Sequence, residues 1–337
     1  MIRRPLAIIS AALFFTFPAV AQEHITVGTV REPSNGALFL ADSRGYFRTE
    51  GLDIEMKAFP TPVAVVQAVA AGTLDFGLAD LSAEAFALAG AGAIKLVAAQ
   101  AREKRAIEGN DLVVSVGAYE GGVHKPGDLR GRSIAITALG SIYHYQVAQI
   151  ARADRFAITE FRIKPLESYK AVAQAVANGQ VDAAILPVQY ARQLMMAGLG
   201  RLMTWCSEFG EPQLGALFVQ TKTMQARRAA AGKFVRAYRR GAADYAEALA
   251  RYDRFNKPIS DLKSRAAAMT IARYVYPGLP MNGAAPAVEL GALYVDPQAR
   301  LDVADLEREL SWFKSQKLVK SSVDAQNIVD LSFTESN

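Results

Sequence analysis

The chain has 337 residues, 51% of them hydrophobic and 21% charged, with no long biased tract; this excludes a disordered or fibrous protein and leaves room for two domains of ordinary size. Lys and Arg number 38 against 33 acidic residues, and removing Arg3 and Arg4 with an N-terminal leader leaves 36 − 33 = +3, spread along the chain, which argues against nucleic acid as a partner. The single cysteine, Cys206, excludes an intramolecular disulfide and reads as a buried bystander.

In chain order, the first segment reads as an export signal. Arg3 and Arg4 precede an apolar run from Pro5 to Phe17, and Ala19-Val20-Ala21 is a small-x-small cleavage site. The run is shorter than the ~20 apolar residues a membrane-spanning helix needs. Cleavage after Ala21, a mature start at Gln22 and a periplasmic location are therefore expected.

An apolar strand from Ile25 then leads to a Ser34-Asn35-Gly36 turn and a helix through Arg44. Leu52–Met56 alternates as a half-buried strand does. Pro62 suits the first turn of a helix with apolar Val65, Val66 and Val69, which Gly72 ends. This unit recurs. Ala64–Leu78 (AVVQAVAAGTLDFGL) and Ala171–Ile185 (AVAQAVANGQVDAAI) share eight of fifteen positions at an offset of 171 − 64 = 107. The same offset carries Ile25–Thr29 onto the apolar run around Ile134–Ile136, Ser34 onto Ser141, and Leu52–Met56 onto Thr159–Ile163.

Two related βαβαβα units predict an α/β protein: two βαβ-type lobes with mixed, mostly parallel sheets. Helical patterns at Ala226–Tyr252, Ser264–Tyr276 and Val303–Lys317 follow and are expected to pack onto one lobe. The hinge between the lobes is expected where the chain crosses twice, near Ser115–Gly121 and Trp205–Gly210. Lobe one then comprises 22–116 and 208–337, and lobe two comprises 117–207.

In open α/β sheets ligands bind beyond the carboxyl ends of strands, beside helix N-termini. The copy locates those places as Arg31–Gly36 and Ala138–Tyr143, so Ser34 and Ser141 are expected to face each other across the cleft. Ser141 caps a helix from about Ile142 to Arg152, where Gly140 permits close backbone approach and first-turn N–H groups suit an anion. Asp80-Leu81 and Pro187-Gln189 end two further strands on the same edge. Asp80 serves either a ligand amine or a helix cap. Tyr143, Tyr190, Trp205 and Phe209 are candidate aromatic walls, and Glu208 lies near the second crossing. The candidate ligand-binding residues are thus Arg31, Ser34, Asn35, Asp80, Leu81, Gly140, Ser141, Ile142, Tyr143, Pro187, Gln189 and Glu208. No P-loop, G-x-S-x-G or H-E-x-x-H occurs, and His24, His124 and His144 lack metal-ligand spacing. No cofactor, metal or catalytic residue is therefore expected.

The run FLADSRGYFRTEGLDIEM, the segment QAVAAGTLDFGLAD and the stretch DLRGRSIAITALGSIYHY resemble the substrate-binding proteins of nitrate/sulfonate/taurine transporters, the NMT1/THI5-like family. The resemblance covers about Ile25 to Trp205. It implies a type 2 periplasmic binding fold and the soluble component of an ABC importer, partnered by a membrane permease. It also implies ligand contacts at Ser34, Asn35, Asp80, Ser141, Ile142, Pro187 and Gln189. The thiamine-precursor enzymes of this family carry a cysteine-rich segment that this chain lacks.

A monomeric binder that closes on a small organic anion, carboxylate or sulfonate, is the leading expectation. An amine-bearing ligand stays open because Glu32 and Asp80 share one edge. The alternatives are an enzyme of the same fold, with His144 its best acid–base candidate, and a periplasmic sensor serving a signalling receptor.

Overall fold

The computed structural model describes residues 22–334; the leader and cleavage site expected at 1–21 lie outside the described residues. The first unit starts with β1 (Glu23–Val30), whose last residues are all buried, as a strand covered on both faces requires. A 3-10 turn at Pro33–Asn35 leads into α1 (Gly36–Ser43) and the short α2 (Tyr46–Thr49). There follow β2 (Leu52–Phe59), α3 (Pro62–Ala70), β3 (Phe76–Asp80), α4 (Ala83–Gly90), β4 (Ile94–Ala99) and the two-residue β5 (Ala101–Arg102). The second unit holds β6 (Asn110–Ser115), α5 (Val116–Glu120), β7 (Ser133–Ile136), α6 (Ile142–Ala153) and β8 (Arg162–Pro165). It continues with α7 (Tyr169–Ala177), β9 (Ala183–Pro187), α8 (Val188–Met196) and β10 (Gly200–Trp205).

Beyond these lie β11 (Gly215–Gln220), α9 (Thr221–Ala226), α10 (Arg228–Ala248), α11 (Leu262–Val275) and α12 (Met281–Leu290). The two-residue β12 (Tyr294–Val295), α13 (Val303–Ser315) and α14 (Ala325–Ile328) complete the chain's labelled elements.

The strands form two five-stranded sheets, ordered β2-β1-β3-β11-β4 and β8-β7-β9-β6-β10. Their pairings correspond one for one. β1 runs parallel to β2 and β3, as β7 does to β8 and β9; β11 runs antiparallel to β3 and β4, as β6 does to β9 and β10. The fourth strand of each sheet directly follows a crossing, β6 the outward one and β11 the return.

Residues at the 107 offset hold this shared frame. Asp75 accepts from Thr26 N at 2.9 Å and Thr26 Oγ1 at 3.1 Å, and Asp182 accepts from Ser133 N at 2.8 Å and Ser133 Oγ at 2.6 Å. Thr61 and Ser168 cap α3 and α7, each accepting a backbone N–H at 3.2 Å.

The first crossing differs from the expectation. Asn110–Ser115 pairs with β9 and β10, so it belongs to the second sheet and not to lobe one. The chain leaves the first sheet after β4 and crosses between Gln100 and Asn110. The return after β10 runs alongside, with Leu214 N donating to Ala101 O at 2.9 Å and Glu103 N to Pro212 O at 3.0 Å. A strand of apolar residues looks the same in either sheet, and only long-range pairing assigns it.

The C-terminal helices cover mainly lobe one. Phe234 of α10 stacks on Phe76 at 4.0 Å, and Tyr238 donates to Ala99 O at 2.9 Å. They also reach lobe two, because Trp312 of α13 meets the rings of His144 and Tyr145 at 5.0 and 5.4 Å.

Candidate functional site

The two sheets present the carboxyl ends of their parallel strands to one another. Between them lies a cavity lined by Glu32, Ser34, Asp80, Asn110, Ile142, Tyr143, Tyr169, Pro187, Gln189, Leu214, Gly291 and Leu293. The remaining space is about 20 Å³, room for about one water. The two lobes meet across this space as they stand, and no organic solute fits between them.

The polar contacts across this space run one way. Lobe one supplies acceptors: Asp80 at the end of β3 and Glu32 just beyond β1. Lobe two supplies donors. Gln189 Nε2 donates to Glu32 Oε2 at 2.6 Å, and Tyr190 Oη to Glu32 Oε1 at 3.0 Å. Tyr169 Oη donates to Asp80 Oδ2 at 3.1 Å, while Tyr143 Oη lies 3.4 Å from that oxygen and 3.0 Å from the Tyr169 hydroxyl.

Burial disfavours the charged form of both acids. It pushes Asp80 up to about 6 against the tyrosine bonds, and Glu32 up to about 7, with Asp80 adding repulsion. No Lys, Arg or His lines the cavity. The three tyrosines adjoin: Tyr143 meets Tyr169 edge-on at 5.7 Å, and Tyr169 meets Tyr190 at 5.3 Å.

The NMT1/THI5-like family model matches residues 32–248, well over half of the chain. The chain belongs to the NMT1/THI5-like family. No curated protein matches it. Similar solved structures include the periplasmic aliphatic sulphonate binding protein SsuA from Escherichia coli, at 16% identity and TM-score 0.70, covering 91% of this chain and 92% of that one. The alkanesulfonate-binding protein SsuA from Xanthomonas axonopodis pv. citri, bound to MOPS, has 17% identity and TM-score 0.69, covering 92% and 98%. The periplasmic nitrate-binding protein NrtA from Synechocystis PCC 6803 has 11% identity and TM-score 0.69, covering 92% and 85%. The likeness shows the fold, two lobes of the periplasmic-binding type, and all three relatives are binding proteins.

In this NMT1/THI5-like chain, Ser34, Asp80, Ile142, Tyr143, Pro187 and Gln189 line the cavity. The other candidates do not. Arg31 and Glu208 are exposed. Asn35 is buried and ties the turn down, donating to Val30 O at 2.9 Å and accepting from Gln100 Nε2 at 2.5 Å. Leu81 is buried, and its N–H donates to Leu214 O at 2.8 Å.

Ser34 and Ser141 are not paired across the cleft, because Ser141 forms an isolated antiparallel bridge with Ser82, and Ala83 N donates to Gly140 O at 2.8 Å. Gly140, at φ 80°, takes the left-handed conformation this turn needs. Ser141 Oγ is occupied as a cap, accepting from His144 N at 3.3 Å and donating to Ala138 O at 2.7 Å.

His144 does not reach the cavity. Its Nδ1 accepts from Gly140 N at 3.1 Å, and burial lowers the imidazole to about 4. Burial pushes the Cys206 thiol up, with Glu103 and Asp111 adding to the rise, which leaves a poor nucleophile. Among the aromatic candidates Tyr143 lines the cavity and Tyr190 bonds Glu32; Trp205 and Phe209 lie elsewhere.

Sequence reasoning put Glu32 on the ligand edge without naming it among the binding residues, and left Asn110, Tyr169, Leu214, Gly291 and Leu293 off the site. Tyr169 opens α7 after β8, so the strand-end rule applied to that strand finds it. Asn110, held by Glu103 and Gln146, follows the misplaced crossing. Gly291 comes from the far end of the chain, and a Cβ there would lie 2.8 Å from Pro33 and 3.0 Å from Gln189.

A larger groove of about 1360 Å³ runs along α6 and α13. Of its four arginines, Arg102 and Arg308 are paired with Asp302 at 3.2 Å and Asp305 at 2.9 Å, while Arg105 and Arg152 also line it, and it lies away from the parallel strand ends. Among the described residues no cluster of three metal-ligating side chains occurs, and no helix is long and apolar enough to cross a membrane.

Proposed function

We propose that this chain is the periplasmic solute-binding component of an ABC importer, which captures a small molecule between its lobes and presents the closed form to a membrane permease. One observation carries the reading: every hydrogen bond joining the cavity's acids to its tyrosines and Gln189 runs from lobe to lobe. Such bonds exist only when the lobes are shut, so a solute that bridges the same groups biases the hinge toward closure. The names of similar structures, sulfonate- and nitrate-binding proteins of the periplasm, support the same role.

The sequence pointed to a small organic anion. An acceptor group on the solute suits the first turn of α6, where the N–H groups of Ile142 and Tyr143 precede any intrahelical acceptor. The Gly140 N–H and the Ser141 hydroxyl are already engaged by the turn itself. A solute that is only an anion is opposed by Glu32 and Asp80, with no base in the lining to offset them.

The Ser82–Ser141 bridge offers a test of closure. Antiparallel neighbours lie within disulfide range, so Ser82→Cys with Ser141→Cys is expected to lock the lobes when oxidised. Oxidised protein then takes up no solute and reduced protein recovers uptake, read by titration calorimetry with the solute that co-purifies. Equal binding in both states rules out capture by closure.

A further inference from the structure

Resting on the solute-binding reading, we infer that the solute carries a basic nitrogen and binds as a cation, with its N–H donors held by Glu32 and Asp80 and its rest against the tyrosines of lobe two.

The 107-residue copy separates groups that hold the fold from groups that do not. Asp75 and Asp182 are related by it, and each bonds within its own lobe. Glu32 and Asp80 fall on Leu139 and Pro187. Lobe two has no carboxylate at either place, so the shared frame does not need one. The donors are equally one-sided: Tyr143, Tyr169 and Tyr190 fall on Gly36, Pro62 and Ala83 of lobe one. Acids on one wall and hydroxyl-bearing rings on the other are additions to the common plan, and they meet only in the cavity.

The charge of those additions selects the solute. In this structure Gln189, Tyr169 and Tyr190 donate to the acids directly. A solute between the lobes pushes the walls apart and takes over these bonds. Glu32 and Asp80 then face it with the lobe-two donors withdrawn and only Gln100 still at Asp80, and two buried carboxylates without a counter-charge are costly. The lining holds no Lys, Arg or His, so the positive charge comes from the solute. An anion makes this worse on both counts. The tyrosine faces favour the same choice, since aromatic rings attract a cation held within about 6 Å.

The test uses size-matched pairs on the full mature chain at neutral pH: benzylamine against benzoate, putrescine against succinate, and ethanolamine against ethanesulfonate, with nitrate alongside. Melting temperature reports binding, and small-angle scattering reports lobe closure. The amine of at least one pair is expected to raise the melting temperature and shrink the particle while its acid partner and nitrate do neither. Glu32→Gln and Asp80→Asn, which keep shape and remove charge, are each expected to weaken that amine by about tenfold or more.

Acids or nitrate that close the lobes as well as the amines do overturn the inference and leave the solute-binding reading standing. Unchanged amine affinity in both variants also overturns it. Failure of every probe to close the lobes, together with uptake by the oxidised Ser82→Cys/Ser141→Cys protein, sinks both.

Discussion

Asp75 of lobe one and Asp182 of lobe two lie 107 residues apart and hold equivalent bonds, whereas Glu32 and Asp80 of lobe one correspond to Leu139 and Pro187, which bear no charge. Positions that agree between the lobes close a strand end or cap a helix. Glu32 and Asp80, where they disagree, line the gap between them. Duplication preserved what each lobe needs in order to fold, and the site arose where the copies diverged.

The largest expected effect breaks the divergent side. Asp80 sits at about 6 in the fold against an ordinary 3.8, and Glu32 at about 7 against 4.5. The folded protein holds these protons at a pH where the unfolded chain has released them. Their favourable contribution is therefore complete near pH 4 and is lost as pH rises through 6 to 7. Asp80→Asn is expected to stabilise the solute-free protein above pH 7 by up to about 3 kcal/mol and to flatten its stability between pH 4 and 7, read from urea midpoints across that range. A variant no more stable than its parent at high pH shows that the carboxylate is well solvated in the solute-free protein.

The shared side should respond in the opposite sense. Asp75→Ala and Asp182→Ala each remove an acceptor bonded to a backbone N–H and a hydroxyl, at a cost of about 2 kcal/mol each. The two losses should be alike, and denaturant curves that differ widely would break the equivalence of the lobes. For Asp182, bonding to Ser133 and the nearby Arg132 and Arg162 outweighs burial and lowers its carboxyl, so this stabilisation is expected to fade as pH falls below about 4.

Smaller again are the matched caps. Thr61→Ala and Ser168→Ala should each cost about 1 kcal/mol and leave solute affinity unchanged by calorimetry. Smallest is Gly291→Ala, whose Cβ meets Gln189 only when the lobes are shut, while its contact with Pro33 of the same lobe is present in either state. Affinity should fall a few-fold, with a wider particle in scattering and little change in melting temperature.

Much of this frame is legible in the sequence because it is local and repeated. The segments at 64–78 and 171–185 carry α3 and α7 with β3 and β9, and the 107 offset maps each onto its partner without slippage. Sheet membership is not local, which is why Asn110–Ser115 read as part of lobe one. At the site, the strand-end rule reached Ser34, Asp80, Ile142, Tyr143, Pro187 and Gln189. Ser141, named by the same rule, carries the cap it signals, and its hydroxyl is engaged by its own turn and helix, outside the cavity lining. Leu214 and Gly291 arrive from the return crossing and the C-terminal segment, and no nearby pattern announces either.

The late strand of the first sheet also sets an order of assembly. All five strands of the second sheet lie between Asn110 and Trp205, while β11 fits between β3 and β4 and ends only at Gln220. A chain emerging from a pore N-terminus first leaves the first sheet without its fourth strand until about two-thirds of its length has passed. Lobe two, though second in the sequence, is the first able to complete its sheet, and lobe one is finished around it.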